Sequence, residues 1–484
     1  MSGSIRISRA TSILATGRIP GLIIAFAIPL VLARVFDPAE FGTYKQLFLI
    51  YATLFGLAQV GMAESLYYFV PLAPNKAGRQ VGNALVSLAG IGVACMAALF
   101  VLRDHIAEWL TNPALSAHLG PLGGFLAAML TSAVFEIVLV SQKKHVAAAW
   151  VYALSDIARA ACFVIPAVLG WGLAGVLAGA ALFATTRVAA ALFVLWQQFG
   201  TELRVDAAVW RRQLAYALPF ALAVGIEVLH LNWHQYAVAA RVDAATFAIY
   251  AVGCLQVPVA DLIVASALNV MMVEMAGVRD RDLAAAHRLW HGTIAQLAFM
   301  IFPLAAFLVV MARDIIIVLF TPAYGGSVPI FMLWSLTMLA SVLVADGVLR
   351  VFAQTRYLLV QNAIQLALVA GLVGPFLGWF GLGGAVIATL LAVITIRLAA
   401  VVRISRLMGL RLAAALPWKQ LALAAGCTVA AAAPTVAVTN SIEVPPIASL
   451  ALGTLVYALA YVLLYSIVAR EPAVRLVPSA PTTV

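Results

Sequence analysis

The sequence predicts an all-α polytopic membrane protein with about 14 transmembrane helices. Three observations carry that expectation. The chain is 64% hydrophobic and only 10% charged, with a mean hydropathy of +1.06, whereas a soluble domain carries about 25% charged residues. The apolar residues come in runs of about 20, the helix length that crosses the hydrocarbon core of a bilayer. Finally, Lys and Arg collect on alternate sides of successive runs, as the positive-inside rule requires of a chain that crosses repeatedly.

The runs lie near 13–33, 46–70, 81–102, 118–140, 147–169, 173–196, 213–239, 247–272, 291–312, 329–352, 358–378, 383–402, 420–439 and 448–468. Arg6 and Arg9 before the first run imitate a secretory signal. No small-residue cleavage site follows, however, and the apolar stretch continues to Arg34, so it reads as an uncleaved first span. With a cytoplasmic N-terminus, one side collects Arg6, Arg9, Lys76, Arg79, Lys143, Lys144, Arg204, Arg211, Arg212, Arg279, Arg281, Arg288, Arg356, Arg403, Arg406, Arg411, Lys419, Arg470 and Arg475. The other side holds only Arg34, Lys45, Arg103, Arg241 and Arg313. Both termini are therefore expected in the cytoplasm. The net charge of +10 is topology and contact with membrane lipids. No nucleic-acid partner is expected, because no basic run interleaved with aromatic residues occupies a soluble domain. Cys95, Cys162, Cys254 and Cys427 all fall inside runs, without metal or redox spacing, and read as small apolar packers. No loop is long enough to carry a catalytic domain, so no enzymatic activity is expected.

A weak internal repeat divides the chain. Ala33-Arg34-Val35-Phe36-Asp37 with Phe41 and Tyr44 matches Ala240-Arg241-Val242-Asp243 with Phe247 and Tyr250. Gln142-Lys143-Lys144-His145 matches Gln354-Thr355-Arg356-Tyr357, and Leu169-Gly170-Trp171-Gly172 matches the Leu377–Gly384 turn. Six spans per repeat is an even number, so the halves are parallel repeats about an axis along the membrane normal. The expected organisation is a six-helix lobe over 1–205, a second over 206–411, and two extra helices with a tail over 412–484. Two facing lobes would define a central cleft of the kind alternating access uses.

Charges inside apolar runs are costly, about 2.5–3.5 kcal/mol at a helix centre on insertion scales, and mark cavities or partners. They are Arg18, Glu64, Glu136, Asp156, Arg159, Arg187, Glu227, His230, His234, Asp261, Asp346, Arg350 and Arg397. Spacing predicts local pairs Asp156/Arg159 at i,i+3 and Asp346/Arg350 at i,i+4. Glu136 and Arg397 lie near the cytoplasmic ends of their spans, within reach of water. Glu227, His230 and His234 share one helical face, too polar for lipid. Glu227-x-x-His230 also has the spacing of a metal pair, but no third ligand is identifiable and no metal is expected. Asp261 follows Pro258, which is expected to kink its span. Arg18 and Arg187 have no same-helix acid. The resulting cavity candidates are Arg18, Glu64, Arg187, Glu227, His230, His234 and Asp261, with Tyr67, Tyr68, Trp233 and Tyr236 as rings able to stack on sugars.

The segment from Leu32 to Pro71, with Ala33-Arg34 and then Phe41-Gly42-Thr43-Tyr44, resembles the start of bacterial Wzx-type polysaccharide flippases. These belong to the multidrug/oligosaccharidyl-lipid/polysaccharide export superfamily. The Leu319–Leu339 stretch and the turns at Gln354–Tyr357 and Gly381–Gly384 also look like family features. The resemblance implies a V-shaped pair of six-helix lobes in a bacterial inner membrane. It implies transport of a polyprenyl-diphosphate-linked oligosaccharide from the cytoplasmic to the periplasmic leaflet. It also implies no cofactor, coupling to protons or sodium ions, and polymerase or export proteins as partners. Arg18 is similar in place to cavity arginines of related lipid II flippases. A cation-coupled multidrug antiporter of the same superfamily is the alternative that the membrane carboxylates equally fit.

Single cysteines placed at Ser2 and at Val484 should resist membrane-impermeant thiol reagents in intact cells and react after lysis. Labelling of either one from outside would reverse the orientation.

Overall fold

The computed structural model describes Gly21 and residues 24–468. Helices joined by short connections account for these residues, and no strand occurs among them. The helix α1 (Ile24–Val35) is the described part of the first predicted span. Twelve further stretches are long and apolar enough to cross a membrane. One of them, Thr355–Leu407, has 53 residues and leaves helical geometry at Gly381, with φ 60° and ψ −151°. A straight helix of that length would run about 80 Å, far beyond a bilayer. Gly381 divides it into two spans, because this region of φ/ψ space belongs essentially to glycine. Counting it as two gives thirteen described stretches of spanning length, with the shorter α1 beside them.

The chain separates into two compact units, Met1–Ala248 and Ile249–Val484. In the first, α2 (Pro38–Ala58), α3 (Met62–Leu72), α4 (Ala77–Val101), α5 (Arg103–Trp109), α6 (Leu115–Ser132), α7 (Val134–Ser141), α8 (His145–Val168), α9 (Gly172–Phe199) and α10 (Ala207–Ala239) follow in order. Tyr44, Phe48, Tyr51 and Phe55 recur along one face of α2. Phe48 and Tyr51 pack on Phe125 of α6 at 6.2 and 4.9 Å between ring centres, and Phe48 meets Phe163 of α8 at 5.5 Å. Glycine 42 of the Phe-Gly-x-Tyr motif has a steric reason, since a Cβ there would overlap the Ala244 carbonyl oxygen.

The seventh span, α10, packs within this first unit, so the contact division falls beyond the repeat boundary at 205/206. A buried polar network fastens its N-terminal end. Gln213, fully buried, donates to the Gln80 carbonyl at 3.2 Å and to Ser65 Oγ at 3.5 Å. Asn83 donates to Gln213 Oε1 at 3.2 Å and accepts from the Asp206 N–H at 2.9 Å. Asp206 in turn caps α10 through the N–H groups of Ala208 and Val209 and pairs with Arg79 at 3.1 Å. The Val209 N–H and the Arg79 side chain hold the Asp206 carboxyl below the usual carboxylate range. This contribution to stability is complete above the unfolded carboxylate value, about 3.9, and is lost as pH falls through the lower folded value. At the other end of α10, the single Thr111 hydroxyl proton is shared between the carbonyls of Val242 and Ala239, at 2.6 and 3.0 Å from Oγ1.

The second unit contains the second half of α11 (Ala244–Gly253), then α12 (Pro258–Val278), α13 (Leu283–Val310), α14 (Ala312–Leu319), α15 (Val328–Ser335), α16 (Ala345–Val351), α17 (Thr355–Leu407), α18 (Trp418–Ser441) and α19 (Pro446–Val468). Its core centres on Trp290 with Met271, Met275, Val348 and Ile404. The Trp290 indole satisfies its N–H on the Leu343 carbonyl at 2.9 Å. The last helix outside the repeat, α19, leans on α13 through a tyrosine ladder. Tyr461 donates to the Phe299 carbonyl at 2.6 Å, and Tyr457 and Tyr465 pack on Phe307 and Phe299 at 5.6 and 5.3 Å.

The repeat reappears in backbone detail. Lys143 and Ala353, 210 positions apart, both take left-handed conformations, with φ 62° and 55°. The next residue in each case donates five residues back, Lys144 to Leu139 at 2.9 Å and Gln354 to Leu349 at 2.8 Å. The next helices then start at His145 and Thr355, the same interval apart. Two ion pairs share the interval. Arg187 of α9 binds Glu136 of α7 at 2.7 Å, and Arg397 of α17 binds Asp346 of α16 at 2.6 Å. Acid matches acid and arginine matches arginine at 210 residues.

These pairs correct the sequence expectation for three residues. Asp346 does not pair with Arg350, which lies exposed in the last turn of α16, because Arg397 holds it instead. Nor are Glu136 and Arg397 left to water, since each has an interhelical partner. The Asp156–Arg159 pair does form as its spacing predicts, at 2.7 Å.

The side chains of Arg187 and Glu136 are only 14% and 13% exposed. Removing one partner of such a pair strands a charge, at a cost of about 3–5 kcal/mol. Glu136→Gln or Arg187→Met should therefore destabilise the detergent-solubilised protein to thermal unfolding by roughly that amount. The reversed double variant, Glu136→Arg with Arg187→Glu, should recover most of the loss. A reversed pair as unstable as the single variants would show that the attraction is not what joins α7 to α9.

Candidate functional site

Each unit breaks a membrane span, and a carboxylate stands just after each break. In the first unit, Asp37 caps α2 through the N–H groups of Ala39 and Glu40. The helix then runs 21 residues, about 31 Å. It stops where Val60 and Gly61 turn left-handed, with φ 48° and 65°. Gly61 also faces α10 closely, since a Cβ there would lie 3.1 Å from the Ala217 carbonyl oxygen. Glu64 occupies the first turn of the resumed helix α3. Its Oε2 is buried with no hydrogen-bond partner. The N-terminus of a half-helix presents unpaired N–H groups and a positive dipole end, which favour a carboxylate there.

In the second unit α11 has only 10 residues, about 15 Å. The chain then leaves helical geometry over 254–257 and resumes at Pro258. Pro258 thus starts a new helix at its first position, where its missing N–H costs nothing, instead of kinking a continuous span over 247–272 as expected. Asp261 lies in the first turn of α12 and is exposed in its unit.

The other predicted site residues are distributed differently. Glu227, His230 and His234 lie along α10, and burial grows along their shared face. Glu227 is exposed, His230 is partly buried and His234 is 2% exposed. Arg187 is held by Glu136 and also donates to Ser132 Oγ at 3.0 Å. Arg18 lies outside the described residues. Of the aromatic candidates, Tyr68 stacks on Tyr216 at 4.9 Å, and Tyr236 stacks on Trp109 at 5.7 Å while donating to the Leu49 carbonyl at 3.3 Å. Glu64 is close in sequence to Ser65 of the buried network, so the first break joins α3, α4 and α10. Among the described residues no group of three or more His, Cys, Asp or Glu side chains is placed to hold a metal ion.

Sequence reasoning missed two features here. One is the network of Ser65, Gln80, Asn83 and Gln213, whose amides and hydroxyl lie in different spans. The other is the pairing of Arg187 and Arg397, for which a signal existed, because both members of each pair recur at 210 residues. A buried, unpartnered carboxylate oxygen at a break suits capture of a proton or a monovalent cation. The flanking half-helix ends suit polar or charged cargo groups.

The fold is shared with solved transport proteins. The structure of lipid II flippase MurJ in its inward closed conformation matches with a TM-score of 0.73 at 14% identity, over 96% of this chain and 99% of that one. A multidrug resistance MATE family transporter of the MOP superfamily, in an inward-facing conformation, matches with a TM-score of 0.62 at 14% identity, over 80% of this chain and 96% of that one. A MOP superfamily transporter from Pyrococcus furiosus matches with a TM-score of 0.55 at 15% identity, over 82% and 96%. No curated protein sequence matches. The model of the family described as polysaccharide biosynthesis protein matches residues 31–329. That stretch contains both breaks, the Phe-Gly-x-Tyr motif and the first ion pair, and over more than half its length the chain belongs to the polysaccharide biosynthesis protein family.

Proposed function

We propose that this protein is a flippase that carries a polyprenyl-diphosphate-linked oligosaccharide from the cytoplasmic to the periplasmic leaflet of a bacterial inner membrane. It would act by alternating access, for exopolysaccharide, capsule or O-antigen synthesis. The observation that carries the reading is family membership combined with the extent of the shared fold. The likeness to lipid II flippase, a protein whose name states a lipid-linked cargo, takes in 96% of this chain, against 80% for the multidrug transporter. The two helices beyond the twelve-span repeat belong to the same reading. No covalent chemistry is involved. The cargo changes leaflet, and the protein supplies a polar path and a source of energy.

In this reading Arg18 meets the diphosphate, because a guanidinium offers a fork of donors that matches phosphate oxygens. Arg187 is committed to Glu136 and acts in support. Glu64, with its unpartnered oxygen at the first break, takes the coupling proton or sodium ion. Asp261 and the Glu227–His234 face supply further polar contacts for sugar hydroxyls. Polysaccharide polymerase and export proteins would receive the delivered cargo.

The test is complementation of a flippase-null strain, with surface glycan read against the amount of protein in the membrane. Glu64→Gln should leave the protein in the membrane and lower glycan export by about tenfold or more, the scale of one charge-assisted interaction. Arg18→Ala should impair export more than Arg18→Lys. Wild-type glycan from both Glu64→Gln and Arg18→Ala would overturn these roles. A strain that gains resistance to cationic drugs without regaining glycan would establish the antiporter reading instead.

A further inference from the structure

The Arg–Asp dipeptide in the outer turn after the third span recurs after the ninth, and the two copies end in different states. Arg103 and Asp104 open α5, and Arg313 and Asp314 lie in the first turn of α14. In the first unit the turn is closed on itself. Asp104 accepts from Ser116 Oγ, and Arg103 Nε lies 3.7 Å from Asp104 while its guanidinium rests on the Phe100 ring at 4.9 Å. Ser116, followed by Arg103, holds the Asp104 carboxyl below its ordinary range.

In the second unit the dipeptide sits one residue further into its helix, at the second and third positions instead of the first and second. One residue turns a side chain by about 100° around a helix axis. Asp314 consequently reaches out to α19 and accepts from Ser449 Oγ at 2.6 Å. Residue 310 is Val where the first unit has Phe100. Among the described residues no carboxylate lies in ion-pair range of Arg313. The recruited turn forms one wall of a cavity of about 590 Å3 whose other wall is the α18–α19 connection. Arg313, Asp314, Asn440 and Glu443 line it, between aliphatic side chains such as Ile317 and Val444. Glu443 and Asn440 are exposed.

We infer that this cavity binds the headgroup of a zwitterionic phospholipid, an ethanolamine phosphate. The phosphate meets Arg313, and the primary ammonium meets Glu443 and the oxygen of Asp314 that Ser449 leaves free. The position supports this occupant. The cavity opens where α13 and α18 end and α19 begins, at the border between apolar spans and water where headgroups lie. The charge supports it as well. One guanidinium and two carboxylates suit a ligand bearing both signs, and a singly anionic headgroup would meet repulsion from the carboxylates. No aromatic ring lines the cavity, as stacking on a sugar would need. The bound lipid would fasten the appended pair α18–α19 to the outer end of α13, which the turn of the first unit has no need to do. The inference rests on the second unit alone and is independent of the cargo.

The purified full-length protein, delipidated in detergent, would be titrated with phosphatidylethanolamine, phosphatidylglycerol, phosphatidylcholine or soluble O-phosphoethanolamine. Bound lipid would be counted by native mass spectrometry, and thermal unfolding would be followed in parallel. Phosphatidylethanolamine should bind at about one molecule per chain above background and raise the unfolding temperature. Phosphatidylglycerol and phosphatidylcholine should bind about tenfold more weakly, one for lack of the ammonium and the other for lack of its N–H donors. Arg313→Ala and Glu443→Gln, both at exposed positions, should each weaken phosphatidylethanolamine by a similar factor, whereas Arg103→Ala in the closed turn should leave it unchanged. O-phosphoethanolamine should show the same preference at higher concentration if the headgroup alone is read. Saturation by O-phosphoethanolamine at the concentration that suffices for the lipid would make the ligand a soluble one and overturn the lipid assignment. Equal retention of all three lipids, unchanged by Arg313→Ala and Glu443→Gln, would show ordinary boundary lipid and end the proposal.

Discussion

A charge in hydrocarbon must find a partner or reach water, and the inner architecture of this protein follows from that constraint. Stranding one ion at a helix centre costs about 2.5–3.5 kcal/mol even on lenient scales. Each half resolves the problem in the same way, with an acid in the first turn of a short helix and an arginine on a span two further along. Glu136–Arg187 and Asp346–Arg397 are thus more than four tolerated charges. Each fixes one helix against another at a chosen depth and orientation, where apolar packing alone would allow rotation and sliding.

The backbone obeys the same constraint. Irregular chain at membrane depth survives only where protein or a wet cavity receives it. The break at Val60–Gly61 is backed by Ala217 and Phe220 of α10, and α10 is itself locked by Gln213 and the Asp206 cap. The acid of the short Ala-Arg loop likewise has a local duty. Asp37 accepts from the N–H groups of Ala39 and Glu40, and its repeat counterpart Asp243 accepts from the Thr246 N–H at 2.7 Å. An aspartate at that place is a helix cap first. Glu64 is different in kind, because its buried Oε2 has no such employment.

The departures from symmetry are as informative as the repeat. The unit that carries the two additional helices has turned its Arg–Asp pair toward them, and Asp314 accepts from the distant Ser449 of α19 where Asp104 accepts from the nearby Ser116. A one-residue shift within a helix turn is enough for this, since side-chain direction changes by about 100° per residue.

The apolar run lengths and the Arg/Lys asymmetry determined the membrane class and the number of crossings, because both reflect the transfer of single segments into lipid and need no tertiary information. The Leu169–Gly172 and Leu377–Gly384 matches likewise made the repeat legible, and the i,i+3 spacing made Asp156–Arg159 legible. What the sequence left open depended on neighbours distant in the chain. Asp346 had an arginine one turn away, yet Arg397 holds it, because a partner 51 residues on lies closer in space. Arg187 looked like a free cation until Glu136 came against it. Pro258 read as a kink and proved to be a helix start, since only the chain path shows whether helix precedes a proline. The place of α10, and with it the setting of Glu227, His230 and His234, was decided by amides and hydroxyls on α3, on α4 and in the turn after α5. No local pattern encodes such bonds.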